Sequence, residues 1–72
     1  MDYILEALKK KYEGDIAVAG ANVAVYTHNA AGIGEHSNIV QAVDEQIALI
    51  AEAQHKLNII EGWDSGKQRL ID

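Results

Sequence analysis

The stretch HNAAGIGEHSN, running from His28 to Asn38, holds residues whose types and spacing suggest chemistry. Gly32 and Gly34, two apart ahead of a helix, are able to turn backbone N–H groups toward an anion. His28, Glu35 and His36 are metal-ligand types, and His55 or the same residues of a second copy would complete a set around one ion. Each of these residues also has a plain structural use. Asn29 can leave a helix through the left-handed region, the glycines open backbone angles that other residues resist, and His36, Ser37 or Asn38 can cap the next helix. Glu35 puts a negative charge where the anion would sit, and neighbours on a loop need a fixed scaffold to converge on one ion. The turn reading is therefore preferred, with His28, Glu35 and His36 kept as candidate metal ligands and no cofactor expected.

The residues for covalent catalysis are not assembled by the sequence pattern. There is no cysteine and no Gly-x-Ser-x-Gly elbow, and Ser37 and Ser65 have no evident base with an orienting acid. Asp44, Glu45 and Glu52 form an acidic group, but their spacing sets them on a solvated helix face. The expectation is a protein that is not an enzyme.

Two helical patterns flank the turn. Leu5, Leu8, Tyr12, Ile16, Ala19, Val23 and Tyr26 recur in steps of three or four and define one face of a first helix, with Asp2 as its N-cap. Glu6 with Lys10, Lys9 with Glu13 and Lys11 with Asp15 are opposite charges four apart, each worth about 0.2–0.5 kcal/mol. In the second half, Val40, Val43, Ile47, Ile50, Gln54 and Leu57 make an apolar seam flanked by Ile39, Ala53 and Ile60. Gln54, polar on that stripe, would fix register or pair across a symmetry axis. Glu52 and Lys56 pair outside the seam, and Gly62 stands where a left-handed C-cap is wanted. The helices are placed at about 2–28 and 37–61, with the turn at 29–36 and a tail at 62–72 that is mobile beyond Ser65. Trp63 would cover the open end near Tyr3 or belong to a segment that docks on a partner.

One segment, DIAVAGANVAVYTH, alternates enough to be read instead as two strands turning at Gly20-Ala21-Asn22. The helical reading explains its small residues better, because Ala17, Gly20, Ala21 and Ala24 then form a smooth stripe open to another backbone. Val18 and Val25, seven apart, add an apolar edge. The expected fold is therefore all-α: an antiparallel helical hairpin, with Leu5 and Leu8 near Leu57 and Ile60, and Tyr26 near Val40. A single partner helix cannot cover the surface from Ile16 to Tyr26, so the hairpin is expected to close into a four-helix bundle by homo-oligomerisation, as a dimer or tetramer. Ala17, Val18, Gly20, Ala21, Ala24 and Val25 are the candidate oligomer interface.

Bulk properties agree with a need for support. Seventy-two residues without cysteine leave oligomerisation or unusually good packing as the usual stabilisers of so short a chain. Eleven acidic against six basic residues give a net charge of −5, which opposes nucleic-acid binding. The opening Met1-Asp2-Tyr3-Ile4-Leu5-Glu6 lacks the basic start and apolar block of a signal peptide, and Gly20, Asn22, Thr27, His28 and Asn29 interrupt the uncharged run from Ile16 to Gly34. Neither secretion nor a membrane span is expected.

Tyr26, Asn29, Gly32-Ile33-Gly34-Glu35-His36 and Ile50-Ala51-Glu52-Ala53 resemble a set of small uncharacterised proteins of large tailed bacteriophages, marine ones included. Those carry a tyrosine, then Asn-Pro-x-Gly-Ile-Gly-Glu-His-Pro, then a long helix with an Ile-Ala-x-Ala motif. The resemblance covers about two thirds of the chain. Ala30 and Ser37 depart from it, standing where the pattern has proline; prolines there would end the first helix and open the second. The resemblance implies helix, turn, helix, and a viral protein in the cytoplasm of an infected bacterial cell with a viral or host protein as a further partner. It implies no activity.

Overall fold

In the computed structural model, residues 3–28 and 38–64 are described. They form two α-helices, α1 (Tyr3–His28) and α2 (Ile39–Asp64), packed against each other as a hairpin. Each has 26 residues, which at 1.5 Å per residue makes it about 39 Å long. The segment with the strand alternative is helical throughout.

The apolar spacing of α1 gives the seam it promised. Leu5, Leu8, Tyr12, Ile16, Ala19, Val23 and Tyr26 are all half-buried or buried. Three of the expected i, i+4 ion pairs close on its outside and on α2, Glu6–Lys10 at 3.5 Å, Lys11–Asp15 at 2.9 Å and Glu52–Lys56 at 3.7 Å; Lys9 with Glu13 is not among the ion pairs of the described residues. Thr27, a poor helix former, turns its hydroxyl back onto the carbonyl of Val23 at 2.8 Å.

On α2 the seam is rotated from the expected one. Ile39, Val43, Gln46, Ile50, Ala53, Leu57 and Ile60 face α1, whereas Val40, Ile47 and Gln54 are exposed, Val40 at 84%. Val40 therefore does not pack beside Tyr26, and Gln54 is not the polar member of the seam. That place belongs to Gln46, whose Oε1 accepts a hydrogen bond from Asn22 Nδ2 at 3.0 Å. The two rows 40/47/54 and 39/46/53 have the same seven-residue spacing, so periodicity alone does not choose between them. Packing does: small Ala53 lets the backbones approach, and Gln46 meets a polar partner.

Two cross-helix contacts fix the register. Asn22 bonds Gln46, and ten residues back on α1 and ten forward on α2, the Lys56 ammonium lies 5.2 Å from the centre of the Tyr12 ring. This antiparallel register sets Ile16 across from Ala53 and Ala19 across from Ile50, one large and one small side chain in each layer. Among the described residues, the buried hydrophobic ones are Ala19 (2% exposed), Ala53 (4%) and Ile60 (7%). The molecule measures 47 × 24 × 14 Å, so its thin dimension is about one helix diameter. Among the described residues no third element covers either face.

The helix ends differ slightly from expectation. Asn38 occupies the N-cap position of α2, its carbonyl accepting from the Ala42 N–H at 2.9 Å. At the other end α2 continues to Asp64, so Gly62 lies inside the helix instead of capping it. Trp63 is helical and exposed, as is Tyr3, so the indole does not shield the open end. Asp2, the turn at 29–36 and the tail beyond Asp64 lie outside the described residues.

Candidate functional site

The hairpin carries a groove of about 390 Å³ on one of its two faces. Its floor is Ala19 and Ala53, and its walls are Val18 and Leu49, both exposed. The groove exists because the seam alternates large and small: where alanine stands, no side chain fills the space between the helix backbones.

Charged and polar residues are stacked in layers along this face. Lys11 and Lys56 share the Tyr12 ring, each 5.2 Å from its centre. Next come Asp15 on α1 and Glu52 on α2, then Val18 and Leu49, then Asn22 hydrogen-bonded to Gln46. The Lys11 ammonium donates to Asp15 Oδ2 at 2.9 Å; that hydrogen bond, and then the carboxylate charge, push the Lys11 pKa above the usual lysine range. These ion pairs are solvent-exposed, which makes them weak contributors to stability and strong markers of where charge sits.

The candidate interface residues are all exposed, but they do not share one face. Val18 lines the groove, and Val25 follows it one heptad later. Ala21 is two residues from both Ala19 and Val23 in the seam, a rotation of roughly 200° that turns it away from α2. Ala17 and Ala24 lie with it. Gly20 has open space around the position a Cβ would take, so its smallness serves no contact within the hairpin.

Of the candidate metal ligands, His28 is the exposed last residue of α1. Glu35 and His36 lie outside the described residues, as do Gly32 and Gly34. Among the described residues, no group of three or more His, Cys, Asp or Glu side chains is gathered to hold a metal ion. No helix among them is long and apolar enough to cross a membrane.

Sequence reasoning missed the groove, the Asn22–Gln46 bridge and the two lysines on Tyr12. The signal for the bridge was present: Asn22 and Gln46 meet in the very register that brings Leu8 near Ile60. The chain matches no family model, no curated protein and no solved structure.

Proposed function

We propose that this protein is a non-enzymatic helical hairpin that self-associates, closing into a four-helix bundle, and acts as an interaction or accessory module. The observation that carries the reading is a mismatch between core and surface. Among the described residues three small or end-of-helix hydrophobic residues are buried, while Val18, Val25, Val40, Ile47 and Leu49 are exposed on a layer one helix thick. Scattered exposed hydrophobics are ordinary; these recur at helical spacing on faces that no other described element covers. The turn motif's resemblance to phage proteins supports placing the module in an infected bacterial cell, where the same apolar faces would take a viral or host protein.

The test is the dependence of thermal unfolding on protein concentration. For a dimer, a hundredfold increase in concentration adds about 2.7 kcal/mol of stability, on the order of 10 °C in Tm for a chain of this size. A Tm unchanged over that range would remove the basis of the proposal.

A further inference from the structure

We infer that the occupant of the groove face is a second copy of this chain, docked about a two-fold axis that crosses the helices at Val18 and Leu49. This rests on the self-association proposed above and adds to it the face and the symmetry.

Complementarity argues for a second copy: the face carries the carboxylates of Asp15 and Glu52 on one side of its apolar layer and the amides of Asn22 and Gln46 on the other, so the same face reversed presents amides to carboxylates.

The layers then select the arrangement. Two hairpins stacked groove to groove can be related by a two-fold axis along the helices or by one across them. An axis along the helices keeps every layer at its own height and sets α1 over α2 of the second copy, so Asp15 would face the partner's Glu52, carboxylate against carboxylate. Lys11 and Lys56 would face lysines. An axis across the helices at Val18 and Leu49 reverses the second copy. Val18 then meets Val18 and Leu49 meets Leu49, while the carboxylates of Asp15 and Glu52 come opposite the partner's Asn22 and the partner's Gln46. Gln46 accepts from Asn22 through its carbonyl oxygen, which leaves its own N–H groups as donors. The Glu52 carboxylate meets the amide donors of the partner's Gln46, and the apolar layer is central.

The opposite face, with Val40 and Ile47, lacks this pattern of layers. Substitutions on the two faces therefore separate the possibilities. Leu49→Lys and Val18→Lys should each reduce the mass in solution to that of the monomer at concentrations where the parent chain is a dimer, with far-UV CD showing that the helices persist. Ile47→Lys should leave the dimer intact. The chain has no cysteine, so single cysteines report the symmetry cleanly. Val18→Cys should be captured as a homodimer by a short bis-maleimide, whereas Asp15→Cys should be captured only when mixed with Asn22→Cys.

Dimers abolished by Ile47→Lys and untouched by Leu49→Lys would overturn the groove assignment and leave self-association standing. A cross-link between Val18→Cys and Leu49→Cys chains, without the Val18 homodimer, would overturn the transverse axis. A parent chain that stays monomeric at every concentration would overturn both this inference and the reading beneath it.

Discussion

Ala19 and Ala53 set the distance between the helices, since each stands opposite a larger residue in its layer. Ala19→Leu would force that layer apart, and we expect a loss of about 1–3 kcal/mol in urea unfolding, the usual cost of overpacking a tight site. The glycines behave in the opposite way. Gly14 and Gly20 have nothing within 4 Å of an added Cβ, so neither is required by packing inside the hairpin. Gly14→Ala and Gly20→Ala should each stabilise the helix by about 0.8–1 kcal/mol, read as a higher urea midpoint. Because Gly20 is outside the groove, its replacement should also leave self-association unchanged. Loss of the dimer in Gly20→Ala would instead move the interface to the stripe of Ala17, Gly20, Ala21 and Ala24.

At the level of the helices, the rotated seam of α2 makes a sharp contrast between two apolar residues of similar size. Ile60 is buried and Val40 is exposed, although the sequence pattern puts Val40 in the seam and Ile60 at its flank. Ile60→Ala should cost about 2–4 kcal/mol, and Val40→Ala should stay within about 0.5 kcal/mol, by denaturant unfolding of both variants. The reason the pattern was readable on α1 and ambiguous on α2 is physical. In α1 the charged residues Glu6, Lys10, Glu13 and Lys11 leave one face for burial. In α2 the row Val40, Ile47 and Gln54 is as apolar as the row Ile39, Gln46 and Ala53, and what separates them is the fit to the other helix. Helix ends were legible to within a few residues, and Gly62 misled because a glycine near a helix end can be spanned as well as used to stop. The groove was not legible, since it depends on which alanines face which large residues across the pair. A cycle of Asn22→Ala and Gln46→Ala, singly and together, should give a coupling of about 0.5–1.5 kcal/mol, the worth of one hydrogen bond that holds the register.

For the whole molecule the governing fact is thickness. Two helices side by side bury a line of contact and leave exposed apolar residues on both faces, and 72 residues without a disulfide have few other ways to offset the loss of chain entropy. In the proposed arrangement a second hairpin covers the exposed Val18 and Leu49 of both copies. The measurement that tests the account most directly is light scattering on a size-exclusion column across a wide range of loading concentration, with CD on the same fractions. The account predicts a helical species of twice 7.8 kDa that persists on dilution. A well-folded helical monomer at every concentration would contradict it.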